Sequence, residues 1–461
     1  RLRTVTGVQT CALPILRWTS RTLTLTAAVL LACVTSARAG TVTFSADVAP
    51  LLYEHCATCH RPGGPSSTVL LSYAQARSHA RQIVQMTQSG QMPPWQPAGA
   101  HGVFAGDRRL SPAQVAVFQR WLDDGLEEGD PARLPPAPTF ADGWQLGTPD
   151  LVLTMPAYTL RADGPDMFRN FVLPVPTSVM RYVRAWEFRP GNPKVVHHAT
   201  MQVDADGASA RYDASDAAAG YEGLIAPSAR APDGFFLDWA PGHRPAVAVS
   251  GTAWPLPPSS DLVMMLHLRP SGRVEQVQAS VALYFSQVPP ERLPVMVRLT
   301  RQDLDIPAGA APVVTDNYVL PVDVDVYTVQ PHAHYLARQM AGTATLPGGA
   351  VVPLLDIPDW DFNWQDVYHY AVPRRLPAGT RIAMSIRYDN SSANPRNPNT
   401  PPTAVGYGQQ TSDEMAEMWF QVVPVRDAER RALVESLSRK VLPEEIKGDR
   451  KSTRLNSSHR T

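Results

Sequence analysis

The chain has 461 residues, room for about three domains, with 42 Lys+Arg against 42 Asp+Glu, and a chain without net charge offers little to nucleic acid or an anionic membrane surface. Charged residues are 18% and hydrophobic ones 44%, a balance that allows packed cores and excludes global disorder. The 45 prolines argue against a helical bundle, and four cysteines are too few for a disulfide-dense scaffold.

Residues 1–15 (RLRTVTGVQTCALPI) and 448–461 (GDRKSTRLNSSHRT) fit no pattern in their neighbours and resemble translated sequencing-adapter read-through. Both are set aside from fold reasoning, and Cys11 and His459 with them. Residues 16–39 read as a secretory signal. Arg17 and Arg21 give a basic start, Leu23 to Val34 a short apolar run, and Ala37-Arg38-Ala39 a cleavage site. The run is too short to span a bilayer. Lipoprotein processing at Cys33 is the alternative, for which Leu31 is a poor fit. The expected location is the periplasm or the cell exterior. A chain cleaved after Ala39 keeps only Cys56 and Cys59, so no structural disulfide is expected.

Residues 41–135 read as a small all-α domain. Phe44 to His55 has helical apolar spacing (Val48, Leu51, Leu52) and leads into Cys56-Ala57-Thr58-Cys59-His60. That C-x-x-C-H run is the pattern of c-type haem attachment. Two thiols about one turn apart add to the haem vinyl groups, and the next imidazole turns onto the iron. Zinc would need a second pair of cysteines, and a thioredoxin-like pair would need a strand–helix context; neither is present. For the sixth ligand, Met92 in Gln91-Met92-Pro93-Pro94-Trp95 is the first candidate, because the prolines hold it on a rigid loop. Met86, in a helical stretch, reads as core, and His79 and His101 remain competitors. Ser111-Pro112 opens a last helix with Val115, Val117, Phe118 and Leu122 on its buried face. The segment resembles a class I cytochrome c domain, and Pro131 to Pro138 reads as a linker.

From about 140 to 425 the chain reads as short strands between Pro/Gly/Asp turns: Arg181–Phe188, Val195–Val203, Leu262–Leu268, Gln276–Phe285, Tyr318–Val329, Thr380–Tyr388 and Met418–Val423. This spacing predicts β-sandwiches. The length calls for two, 140–289 and 290–425, joined near Val288-Pro289-Pro290-Glu291, with a helix over 426–447. No internal repeat supports a duplication. His332-Ala333-His334 is the clearest metal-binding unit, since residues i and i+2 of a strand share a face. His197-His198 is harder. Neighbours on a regular strand face opposite sides, so both can reach one ion only if the backbone bends or the ring nitrogen nearer the backbone binds. His267 sits on the apolar strand Leu262 to Leu268, where a buried imidazole needs a partner. Met415 follows Asp413-Glu414 and opens the last strand. His243, in a turn, reads as exposed. His369, amid Trp364, Tyr368 and Tyr370, could line the cleft or pack, with packing the first reading, and the aromatic run Trp360 to Tyr370 could wall a substrate site or belong to a core.

Taken in order, His197-His198, His267, His332-Ala333-His334 and Asp413-Glu414-Met415 resemble the copper type II, ascorbate-dependent monooxygenases, the family of dopamine β-monooxygenase and peptidylglycine α-hydroxylating monooxygenase. The resemblance covers about 145–425. It implies a mainly β fold of two consecutive jelly-roll sandwiches, here preceded by the cytochrome-like domain. It implies two mononuclear copper sites: one held by His197, His198 and His267, which stores and delivers an electron, and one held by His332, His334 and Met415, which binds O2 and attacks a substrate C–H bond. A thioether favours Cu(I), whereas three histidines alone can also hold zinc. In the peptide-hydroxylating members an Arg stands two residues before the His-x-His; here it is Gln330, so a C-terminal glycine peptide is a poor substrate. The expected activity is hydroxylation of a small molecule with O2. An ascorbate-like reductant or a redox protein would supply electrons, and the haem held by Cys56, Cys59, His60 and Met92 would be an internal relay. The competing readings are a non-catalytic haem and copper electron carrier or redox sensor, and a binding module built on degenerate sandwiches.

Overall fold

Proline and two serines shape the helical part. The computed structural model describes residues 40–100, 102–140 and 143–440. The signal segment with Cys33, His101, both set-aside ends and the predicted helix beyond 440 lie outside the described residues. From Val42 onward the described residues belong to one unit. The single helix expected over Phe44–His55 divides into a π-turn, Phe44–Val48, and α1, Ala49–His55. Pro50 has no amide to give to the α ladder of the preceding turn. Helices α2 (Tyr73–Ser78), α3 (Ala80–Gln88) and α4 (Pro112–Asp123) follow. Ser72 and Ser111 cap α2 and α4 and are bonded in return by Gln75 and Gln114, the reciprocal capping box. Phe44, Leu52, Ile83, Val84, Phe118 and Trp121 fill the core between them, each such burial contributing roughly 1.5–3 kcal/mol.

The rest is mainly antiparallel β-sheet. Strands β1 (Met167–Pro174), β2 (Val196–Asp204) and β3 (Asp261–Leu268) form the middle of one sheet in the spatial order β1–β3–β2. The facing sheet runs Leu151–Thr154, Ser280–Phe285, Arg181–Arg189, Ala246–Val247. Phe171, Val183, Trp186, Met201, Met264 and Val281 fill the space between the two. A second pair of sheets follows a connection over 286–294. Strands β4 (Val324–His332), β5 (Tyr368–Leu376) and β6 (Glu417–Pro424) join Val295–Thr300 in the order Val295–Thr300, β6, β4, β5. Opposite them lie Val313–Val319, Arg381–Tyr388, Ala337–Thr345 and Val351–Ile357, and Val297, Val326, Phe420, Met340, Ile382 and Met384 form the shared core.

Two predicted strands are broken. Tyr318–Val329 turns over at 320–323, where Pro321 cannot continue a ladder. Gln276–Phe285 splits into Glu275–Val277 and Ser280–Phe285, which join different sheets. At the split, Gly191 (φ +68°) passes so close to Gln278 that a Cβ would overlap its carbonyl oxygen. A short helix, Ala208–Ser215, stands in the region expected to be strands only.

The segment between α3 and α4 is sewn into the second pair of sheets. Phe104 pairs with Tyr370. The Ala105 amide donates to His369 O (2.8 Å) and the Ala371 amide to Val103 O (3.0 Å). Phe104 is buried against Tyr368 and Tyr370, with Trp95 edge-on to both Phe104 and Tyr368. No helix among the described residues is long and apolar enough to cross a membrane.

Candidate functional site

The pairing of β2 with β3 explains how two successive histidines come to face one point. His267 lies opposite His198, but Leu268 lies opposite Val196, so His197 is the extra residue of a β-bulge. A bulge re-aims a side chain that the pleat would send to the other face. The Nδ1 atoms of His197 and His198 are 3.3 Å apart, as are those of His198 and His267. The three rings together offer ligand atoms all within 4.8 Å of one another. Bonds of roughly 2.0–2.1 Å at tetrahedral angles separate ligand nitrogens by about 3.3 Å, so the set has the dimensions of a metal site. The His267 Nε2–H donates to Asp166 Oδ2 (2.8 Å), which leaves its Nδ1 lone pair facing inward. Phe168 stacks on the His267 ring at 4.4 Å. Burial first, then the neighbouring His267, holds His197 down to about 4. Burial also lowers His198 strongly, and His267 despite Asp166. All three imidazoles are therefore neutral near pH 7 and free to bind a cation.

The second set stands where β4 and β6 end. His332 is paired with Glu417, so the chain just past β4 and the chain just before β6 run side by side. That brings His334 and Met415 together; Met415 precedes the last strand rather than opening it. His332 Nε2 lies 3.2 Å from Met415 Sδ, and its Nδ1–H donates to Gln365 Oε1. The His334 Nδ1–H donates to Asp413 O (3.0 Å), leaving Nε2 unengaged. The two rings are 5.3 Å apart and nearly perpendicular. Glu414, wholly buried, accepts the amides of His334 (2.8 Å), Leu336 (2.7 Å) and Met415 (3.1 Å), so one carboxyl fastens both ligand-bearing loops. Tyr388 donates to Met415 O (2.6 Å), and Trp360 Nε1–H to His334 O (3.2 Å). Burial, with His332 beside it, holds His334 down to about 3.

His198, His267, His332, His334 and Met415 line one cavity of about 210 Å³. Phe362 stands between the sets, 5.9 Å from the His197 ring and 5.3 Å from that of His334. Gln330, Asp238, Thr200 and Trp419 complete the walls. Asp238 accepts the Thr200 hydroxyl (2.7 Å), and burial pushes its carboxyl up.

No family model matches the chain, and no curated protein matches it. Among solved structures it is similar to the major capsid protein P2 of bacteriophage PM2 (9% identity, TM-score 0.23, 57% of this chain and 98% of that one). It is also similar to the VP2 subviral particle of infectious bursal disease virus (9%, TM-score 0.16, 59% and 72%) and to a Paenibacillus xanthan lyase (12%, TM-score 0.17, 59% and 25%). At such scores these likenesses carry no argument about function.

The C-x-x-C-H run is placed by the end of α1. The amides of Cys59 and His60 both donate to Cys56 O, and the His60 Nδ1–H donates to Thr68 O (3.0 Å), which leaves Nε2 free as a ligand atom. Both cysteines are unbridged. Burial pushes the Cys56 thiol up to about 12; it also raises Cys59, against the opposing fields of Arg108, Arg61 and Arg244. Free thiols and an oriented imidazole fit covalent haem attachment. Among the described residues no hydrogen bond links Met92 to His60, although the Met92 amide is anchored on Met86 O (3.0 Å). His79 is the imidazole whose charge reaches His60, whose own pKa is lowered chiefly by burial.

Two expectations are corrected. His243 is not exposed: its side chain is only 12% accessible and its Nε2–H donates to Gln365 O (2.9 Å). His369 is not packed into a core but lines a second cavity of about 260 Å³, with Nδ1 3.0 Å from Thr328 Oγ1. Sequence reasoning also missed Asp166, Glu414, Phe362 and Gln365, which orient or separate the ligands. None is a metal ligand type in a ligand spacing, and only Glu414 carried a signal, as the middle of Asp-Glu-Met.

Proposed function

We propose that this chain is an exported copper-dependent monooxygenase of the copper type II, ascorbate-dependent kind, with two consecutive jelly-roll sandwiches fused to a small cytochrome c domain. The observation that carries the reading is the second donor set: an imidazole nitrogen and a thioether sulfur 3.2 Å apart, in one cavity with a second imidazole and with members of an all-nitrogen set. A thioether donor favours Cu(I), a state that zinc does not have.

His197, His198 and His267 would hold one copper through Nδ1, and His332, His334 and Met415 the other. Cys56, Cys59 and His60 would hold the haem, with Met92 as the first candidate for the sixth ligand. Bound copper supplies one-electron redox chemistry and reaction with O2. The net reaction is substrate–H, O2, two electrons and two protons to substrate–OH and water, the electrons coming from an ascorbate-like reductant or a redox protein. The chain's own residues do the positioning. Asp166 and the Asp413 carbonyl fix the tautomers of His267 and His334, and Glu414 ties the His334 and Met415 backbones to one point. Phe168, Phe362 and Trp419 form the apolar part of the cavity walls, and the cavity volume suits a small substrate. No cation stands among the residues lining this cavity to grip a carboxylate.

Elemental analysis with an optical spectrum of the mature protein tests this. Two coppers and one haem per chain are expected, together with reductant-dependent O2 uptake that Met415→Ala abolishes while the haem spectrum is unchanged. A haem protein without copper, or a fully loaded protein that takes up no O2, would overturn it.

A further inference from the structure

The haem-attachment motif touches the first sandwich at one loop, and that loop leads to the second metal set. A Cβ built on Gly242 would lie 3.8 Å from Cys59 Sγ, so this glycine borders the thiol that would become a haem thioether. The next residue, His243, is half-buried and donates from Nε2 to the carbonyl of Gln365 (2.9 Å), with Asp366 Oδ1 3.4 Å from the same nitrogen. The side chain of Gln365 in turn accepts from His332 Nδ1, and the other nitrogen of His332 faces Met415 Sδ. One close approach, at Gly242, and two hydrogen bonds thus lead from Cys59 to a ligand residue of the thioether set. Among the described residues no hydrogen bond connects His243 or Gln365 to His197, His198 or His267.

We propose that Gly242, His243 and Gln365 form the electron path from the c-type haem to the His332/His334/Met415 site, bypassing the all-histidine set. This rests on the function proposed above. Each passage moves one electron, oxidising ferrous haem to ferric and reducing cupric ion to cuprous. The protons on His243 Nε2 and His332 Nδ1 stay where they are. An external one-electron reductant, an ascorbate-like molecule or a redox protein, restores the ferrous haem. The all-histidine set then has its own supply of reductant from solvent, and the two electrons of a turnover reach the cavity by separate routes.

The test uses the full mature chain loaded with haem and copper. The haem is reduced rapidly without O2, its absorbance is followed as it re-oxidises, and freeze-quenched samples are read by electron paramagnetic resonance for the cupric signals. In the parent protein, haem re-oxidation and loss of the cupric signal of the thioether site share one rate. His243→Phe keeps the bulk and removes the hydrogen bond; it slows that rate by about tenfold, roughly the effect of 1.4 kcal/mol on a barrier. Copper content and haem spectrum do not change. Gln365→Met, which leaves the backbone carbonyl in place, slows the same rate. His267→Ala, which disables the all-histidine set, leaves it unchanged. An unchanged rate in both His243→Phe and Gln365→Met, or a rate abolished by His267→Ala, overturns the path while leaving the copper reading intact. Absence of copper in the parent protein overturns both.

Discussion

The two histidine sets solve the same problem with different parts of the backbone. In the first, the ligands lie on adjacent strands, and a single extra residue in β2 turns a neighbour toward its partners. In the second, His332 ends β4 on the ladder, whereas His334 lies past β4 and Met415 before β6, on loops that no ladder holds, and a buried glutamate supplies the missing fastening. Strand-borne ligands need only a partner to orient a ring. Loop-borne ligands need their backbone fixed first. The orientation of the rings differs accordingly: Nδ1 faces inward in the first set, and Nε2 in the second.

The largest expected break is at Glu414. Glu414→Ala orphans three amides that the carboxyl now accepts and should cost at least about 3 kcal/mol, since each unsatisfied buried group costs roughly 1–3 kcal/mol. Copper at the second set should be lost, while the first set, on its ladder, keeps its metal. Metal analysis with thermal unfolding checks this, and equal loss from both sets would erase the distinction.

Acid should act on both sets in the metal-free protein. Unfolded imidazoles titrate near 6.5, whereas burial holds His197 at about 4 and His334 at about 3. Below 6.5 the unfolded chain takes up protons that the folded chain refuses, so stability is lost as pH falls. His197 alone accounts for a loss on the order of 3 kcal/mol by pH 4, at 1.36 kcal/mol per unit. Melting temperatures of the metal-free protein between pH 7 and 4 should fall steadily. His334→Gln should flatten the curve more than His197→Gln, and the reverse order would mean that the second set is the wetter one.

The smallest effect sharpens the comparison from the other side. Asp166→Asn frees the His267 tautomer, and loss of such an orienting partner typically weakens metal affinity by about 10–100-fold. Copper titration should show that weakening at the first set only. A matching loss at the second set would mean that the two are coupled through the cavity.

The candidate ligands were legible because chemistry restricts them: His-His, a lone His on an apolar strand, His-x-His and a Met after Asp-Glu stand out against any background. The bulge was not legible, because a register shift is a property of two strands and His197 carries no mark of it. Asp166 and Gln365 were hidden for a related reason. A carboxylate or an amide acquires its role only when the fold brings it to a ring remote in sequence. His243 was misread because a turn with Pro and Gly signals the surface, and only the neighbouring helical segment and the Gln365 loop cover it. Tyr318–Val329 was read as one strand because apolar residues persist through a turn that Pro321 enforces.

The stitching of residues 95–105 into the second pair of sheets has a consequence for how this protein can be taken apart. Phe104 and Trp95 belong to the aromatic packing around Tyr368 and Tyr370, although they precede the proline-rich segment that looks like a hinge in the sequence. A cut at that segment would strip the β-protein of part of its own interior and release two indivisible halves as a pair of damaged ones. The helical module is therefore not a detachable cassette, and grafting it onto another scaffold would require transplanting the wall on which it rests.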